Sequence, residues 1–179
     1  MANRLLVSLK LNGDDVQLAV PAHYTLLEML RYELDLVGSK QGCDKGDCGA
    51  CTVIADGQPV LSCITPVFEA EEWDVRTVEG LASGATPHPL QDEFDLNGAA
   101  QCGFCTPGIL CSAVSLLEEN ADPTREEIRD ALVGSLRSIT GKDFGTDGDA
   151  WASWWKESGS KPANPAGDTE GPKAGTEGW

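Results

Sequence analysis

GSKQGCDKGDCGACTVIADGQPVLSC, residues 38–63, is the stretch from which the rest of this chain is best read. Its cysteines, Cys43, Cys48, Cys51 and Cys63, follow the spacing C-x4-C-x2-C-x11-C. Three thiolates on one loop with a fourth arriving from a separate segment is the spacing that cages a [2Fe–2S] cluster. Gly42, Gly46 and Gly49 lie among the ligands, where a tight wrap needs unusual backbone angles and main-chain N–H groups must approach sulfur. Zinc and a purely structural loop are the competing readings, but two close cysteine pairs are the commoner zinc layout. The spacing therefore predicts a chain that moves electrons.

The 179 residues suffice for one domain or two small ones. With 13 Lys and Arg against 29 Asp and Glu, the formal charge is −16. Such acidity argues against nucleic acid and against anionic membrane surfaces as partners. It fits solubility first and steering toward a basic protein patch second. No apolar run reaches the roughly 20 residues that span a bilayer, and the first residues turn charged too early for a cleavable signal. Seven cysteines are an odd count, four of them at metal spacing, so thiolates in a reducing compartment are expected and the cytoplasm is the predicted location.

Outward from the cysteine loop, Leu5, Val7, Leu9 and Leu11 alternate as in a half-buried strand. Asn12-Gly13 marks a turn into Val16, Leu18 and Val20, which predicts a hairpin. Thr25 and Glu28 form a capping box, with Tyr24 placed to staple Met29, opening a helix that buries Leu26, Leu27, Leu30 and Leu34. Short strands are expected at 52–54 and 60–61, joined through Asp56-Gly57, and a last one at 75–78. The fold class is α+β, with a small sheet domain over residues 1–80. Residues 81–88 read as a linker and 89–142 as a helical domain. Within it, Thr106 is expected to cap a helix starting at Pro107, with Ile109, Leu110, Ala113, Val114 and Leu117 inward and Asn120 at its end. Thr124 and Glu127 make a second capping box before Ile128, Ala131, Leu132 and Leu136. Trp151, Trp154 and Trp155 share one face of a short helix predicted within 143–157, and residues 158–179 have the composition of a disordered tail.

GSKQGCDKGDCGACTV, then LSCITPV, HPLQDEF and QCGFCTPG, resemble the iron–sulfur subunit of the molybdenum hydroxylase family, which includes xanthine dehydrogenases, aldehyde oxidoreductases and carbon monoxide dehydrogenases. The resemblance runs from about residue 4 to residue 136. It implies a β-grasp plant-type ferredoxin domain followed by a four-helix-type domain with a second [2Fe–2S] cluster. It also implies a partner large subunit holding a molybdopterin, and commonly a flavin subunit as acceptor. On this sequence Cys43, Cys48, Cys51 and Cys63 would hold the outer cluster, Cys102 and Cys105 would be half of the inner cage, and Gln101 would face the pterin.

The other half of that cage departs from the family. Where the family places two further cysteines, this chain has Arg137 and Ile139. A charged guanidinium has no free lone pair, and Ile has no donor atom. One cluster rather than two is therefore expected. Three fates of Cys102 and Cys105 stay open: small packed residues with no cluster, a cluster completed by Ser138, Cys111 or a partner's donor, or a redox or zinc-binding C-x-x-C pair. Cys111 lies six positions after Cys105 within a helix and should point away from it.

His23 and His88 are the only histidines; His88 is expected to cap or pack. With no glycine-rich phosphate loop after a strand, no nucleotide or flavin site is predicted in this chain, and no catalytic side chains are expected. The reading is an electron-transfer subunit of a molybdenum hydroxylase-type oxidoreductase. A free-standing ferredoxin-like carrier, or an assembly subunit with a structural or sensory cluster, are the alternatives.

Overall fold

A computed structural model describes residues 3–131 of the chain. Residues 132–179 lie outside it, and with them Leu132, Leu136, Arg137, Ser138, Ile139, the tryptophan stretch and the tail.

Strands β1 (Arg4–Leu11) and β2 (Asp14–Pro21) pair antiparallel from Arg4 opposite Pro21 to Leu11 opposite Asp14. The turn between them has φ of +52° at Asn12 and +95° at Gly13, the two positive values that a two-residue hairpin turn requires. Strand β3 (Thr52–Ala55) pairs with β4 (Gln58–Leu61) across a second such turn, Asp56 at +49° and Gly57 at +82°. Strand β5 (Asp74–Arg76) fills the gap between the hairpins, parallel to β1 and antiparallel to β3. The five strands run β2-β1-β5-β3-β4, a mixed sheet with its hairpins at the two edges.

Between the hairpins lies α1 (Leu26–Glu28), whose capping box is present as the sequence predicts: Thr25 Oγ1 accepts from the Glu28 N–H, and Glu28 accepts from the Thr25 N–H. The helix then widens into a π-helical turn, Met29–Glu33, a departure from the continuous α-helix expected. Leu26, Met29 and Leu30 are buried with Val7, Leu9, Leu11, Val53 and Val75 in the main core, while Leu27 packs against Cys51 and Cys63. Each such side chain contributes about 1.5–3 kcal/mol of burial.

Strand β3 is buried along its whole length because both faces are covered. Val53 and Ala55 face the α1 core, and Ile54 faces a second core with Leu81, Leu110, Cys111 and Val114. That second layer is α3 (Thr106–Glu119), preceded by α2 (Pro89–Leu96). His88 caps α2: its Nδ1 accepts from the Leu90 N–H at 3.2 Å, and its own N–H donates to Gln91 Oε1 at 2.8 Å. In the segment 81–88, Leu81 is buried in this layer, Ser83 is bridged to Thr86, and residues 83–87 are exposed. A further helical stretch, 125–131, starts at the Thr124–Glu127 capping box.

Helix α3 differs from expectation in two respects. Its N-cap is Cys105 rather than Thr106, which is the first helical residue, and no side chain caps it. Its buried residues are Gly108, Leu110, Cys111, Val114 and Ser115, whereas Ile109, Ala113 and Leu117 are only half-buried. Periodicity points to the large apolar side chains, but the helix docks through small ones. A Cβ on Gly108 would lie 2.0 Å from the Gly49 carbonyl oxygen, so only glycine allows the helix backbone this close. Ser115 Oγ continues the contact, donating to the Gly57 carbonyl at 2.7 Å.

Candidate metal centre

The loop between the π-helical turn and β3 is closed at its base by one bond, Lys40 N–H to the Ala50 carbonyl at 3.0 Å. Inside that clasp the backbone takes positive φ at Asp44 (+53°), Gly46 (+84°) and Gly49 (+69°), which throws the loop into a wrap. Gly42 serves a different need: a Cβ there would stand 2.7 Å from Cys48 Sγ, so the glycine leaves the thiol its room. The fourth cysteine comes from the segment after β4. Ser62 N–H and Oγ both donate to the Cys51 carbonyl, at 3.4 and 2.6 Å, and the Ser62 carbonyl accepts from Leu27 N–H at 3.0 Å. Cys63 is thereby held beside Cys51 and against the first turn of α1.

The four thiols fall into two neighbouring pairs, Cys43 beside Cys48 and Cys51 beside Cys63, each close enough to influence its partner's ionisation. Among the described residues no three His, Cys, Asp or Glu side chains converge on a point that would hold a single ion. Four thiols in two adjacent pairs would give each iron of a two-iron cluster two thiolate ligands. The donor set therefore fits a [2Fe–2S] cluster.

Backbone N–H groups supply the electrostatics. Cys43 Sγ accepts from Asp47 N–H at 3.2 Å and Cys48 N–H at 3.3 Å. Burial works against ionisation of Cys43, but the N–H groups of Lys45, Cys48 and Asp47 outweigh it and bring the thiol down to about 7. Burial raises Cys48 as well, the backbone N–H of Ala50 opposing it. Cys63 is pushed up to about 12, by burial first and then by the neighbouring Cys51 thiol. Only one of these three carries an appreciable thiolate near neutral pH, so ligation of a metal releases protons.

Cys102 and Cys105 have a different setting. Cys102 is exposed, Cys105 is half-buried at the start of α3, and Gly103 between them turns with φ +77°. This loop nonetheless abuts the first one: the Phe104 ring lies 3.6 Å from where a Cβ on Gly42 would be. Gln101 is exposed beside it. Cys111 points away, as expected, fully buried in the Ile54 core; burial, then the Glu79 carboxylate, push its thiol up to about 12. Arg137, Ser138 and Ile139 fall outside the described residues.

Two contributors escaped sequence reasoning. Gly108 is unremarkable within the run TPG, and Arg31, described below, sits in a helix with no local cue. At the opposite end of β3 a polar cavity of about 600 Å³ is lined by Lys10, Asn12, Asp74, Arg76 and Glu118, whose charges already pair as Lys10–Asp74 and Arg76–Glu118. Among the described residues no helix is long and apolar enough to cross a membrane.

Two family models match the chain: a 2Fe-2S iron-sulfur cluster binding domain over residues 9–79, and a [2Fe-2S] binding domain over residues 77–143. The chain is 42% identical to the nicotinate dehydrogenase small FeS subunit of Eubacterium barkeri, over 78% of this chain and 88% of that one. It is 45% identical to the nicotine 6-hydroxylase small subunit of Paenarthrobacter nicotinovorans, over 78% of this chain and 84% of that one. A subunit in the crystal structure of quinoline 2-oxidoreductase from Pseudomonas putida 86 superposes with a TM-score of 0.72 at 38% identity, covering 88% of this chain and 99% of that one.

Proposed function

The chain belongs to the iron–sulfur electron-transfer subunits of the molybdenum hydroxylase family, and from that premise we propose that Cys43, Cys48, Cys51 and Cys63 hold its one [2Fe–2S] cluster. When bound, such a cluster accepts and returns one electron at a time, between a molybdopterin-binding partner subunit and an acceptor such as a flavin subunit. The convergence of the two segments is the observation that carries this assignment: N–H groups of the loop point at Cys43 Sγ, and Ser62 ties the segment of Cys63 to Cys51. The chain's own part is to hold the sulfurs in place, aim N–H groups at Cys43, and exclude water from Cys51 and Cys63.

The single cluster follows from chemistry at the second site. Cys102 and Cys105 supply two thiolates, Arg137 and Ile139 supply none, and Cys111 is turned into the apolar core. Gln101 stands exposed beside Cys102, available to a partner's pterin.

Iron and acid-labile sulfide per chain, with EPR of the dithionite-reduced protein, test the proposal. Two irons and one rhombic signal are expected. Four irons with two signals would overturn the one-cluster reading, and no iron would overturn the ligand assignment altogether. Co-purification with a molybdenum-containing large chain is the expected partner result.

A further inference from the structure

The cysteine loop does not hold itself. Its entry segment, residues 37–40, leads into the Lys40–Ala50 clasp. Arg31, on the π-helical turn, reaches this segment: Nη1 donates to the Val37 carbonyl at 3.0 Å and to the Ser39 carbonyl at 2.7 Å. Its neighbour Tyr32 donates from its hydroxyl to Gln41 Oε1 at 2.6 Å, and Gln41 Nε2 donates on to Asp44 Oδ2 at 2.8 Å. From the other side Gly38 N–H donates to Glu79 Oε1 at 2.7 Å. The arrangement is held against a cost. Arg31 Nε and Ser39 Oγ are buried with no protein partner among the described residues, a penalty that a purely structural contact would have reason to avoid.

We propose that Arg31 is a positioning residue for the iron–sulfur centre: by gripping the Val37 and Ser39 carbonyls it sets Lys40 opposite Ala50, and so fixes the spacing of Cys43, Cys48 and Cys51. This rests on the ligand assignment above. The π-helical turn is part of the device, since widened turns inside helices recur at functional sites. Both bonds leave the single nitrogen Nη1, whose two hydrogens serve carbonyls two residues apart, and the guanidinium's charge strengthens each.

The test uses the full chain with Arg31→Met and Arg31→Lys, reading the amide exchange of Lys40, iron per chain, and the g-values and midpoint potential of the reduced cluster. In Arg31→Met, which loses both charge-assisted bonds, the Lys40 amide should exchange about tenfold faster or more, with a shifted potential and broadened EPR signal. Arg31→Lys, which keeps a charged donor on a shorter side chain, should fall between. Unchanged Lys40 protection and unchanged EPR in Arg31→Met would overturn the proposal, even if its melting temperature drops. Wild-type protein without iron would instead overturn the ligand assignment, while the exchange measurement still reports on the clasp.

Discussion

Two groups of cysteines in this chain share a residue type and little else. Around Cys43, Cys48, Cys51 and Cys63 the backbone is bent to positive φ, N–H groups point at sulfur, and two of the four thiols are buried beside Leu27. Cys102 is exposed, Cys105 stands at the N-cap position of α3 without a side-chain capping bond, and where the family resemblance would complete their cage the sequence has Arg137 and Ile139. A metal centre is made by the backbone that presents its ligands as much as by the ligands. The first loop has that support in a clasp, three glycines and a neighbouring helix; the described part of the second packs closely on the first.

The sharpest way to break this contrast is to remove one cysteine from each group. Cys48→Ser should take iron from about two per chain to near zero, because one iron loses a thiolate in a pair. Cys102→Ser should leave the iron content and the EPR signal as they were. Equal iron loss in both variants would mean that the second loop takes part in a cluster after all.

Cys111 sharpens the comparison from the buried side. Its thiol is raised from the ordinary 9.0 to about 12 by burial, with the Glu79 carboxylate adding and Arg76 opposing. A thiol whose folded pKa is raised contributes stability that is complete below pH 9 and is lost as pH climbs toward 12. By pH 10.5 that loss is on the order of 2 kcal/mol. Urea unfolding at pH 8 and pH 10.5 should show Cys111→Ala losing less stability with pH than the wild type. Iodoacetamide should correspondingly modify Cys102 and spare Cys111 in the native protein.

Local chemistry made much of this legible from sequence. Asn12-Gly13, Asp56-Gly57, the Thr25–Glu28 box and the His88 cap each act within a few residues, and each stands where the sequence puts it. The spacing of Cys43, Cys48 and Cys51 was equally readable, because three cysteines of one loop are neighbours in sequence, with Cys63 following at a fixed distance. What the sequence hid is contact between distant backbones. Gly108 against Gly49 is a matter of atomic clearance across 59 positions, and hydrophobic periodicity favours Ile109 and Ala113 instead. Arg31 carries no cue because its partners are carbonyls, which every residue has.

Gly108→Ala tests how closely the two loops depend on each other. Its Cβ would meet the Gly49 carbonyl oxygen at 2.0 Å and the Ala50 Cα at 3.2 Å, both backbone atoms with no rotamer to yield. Overpacking of this kind costs about 1–3 kcal/mol. Helix α3 should lift from the loop, with a lower melting temperature and faster loss of iron to a chelator. A variant with wild-type iron retention would show that the cysteine loop stands without the helix.

The smallest effect should come from the other end of the same helix. Arg76 on β5 pairs with Glu118 near the end of α3, but both are partly exposed, at 32% and 46% of side-chain surface. Solvent screens such a pair, so Glu118→Gln should cost less than about 1 kcal/mol and less still in high salt. Iron content should not change. The pair and the Gly108 contact both seat α3, one on β5 and the other on the cysteine loop, yet only the contact touches the loop that carries Cys48 and Cys51. If Glu118→Gln released iron as readily as Gly108→Ala, the loop would be sensing the seat of the whole helix rather than the close approach at Gly49.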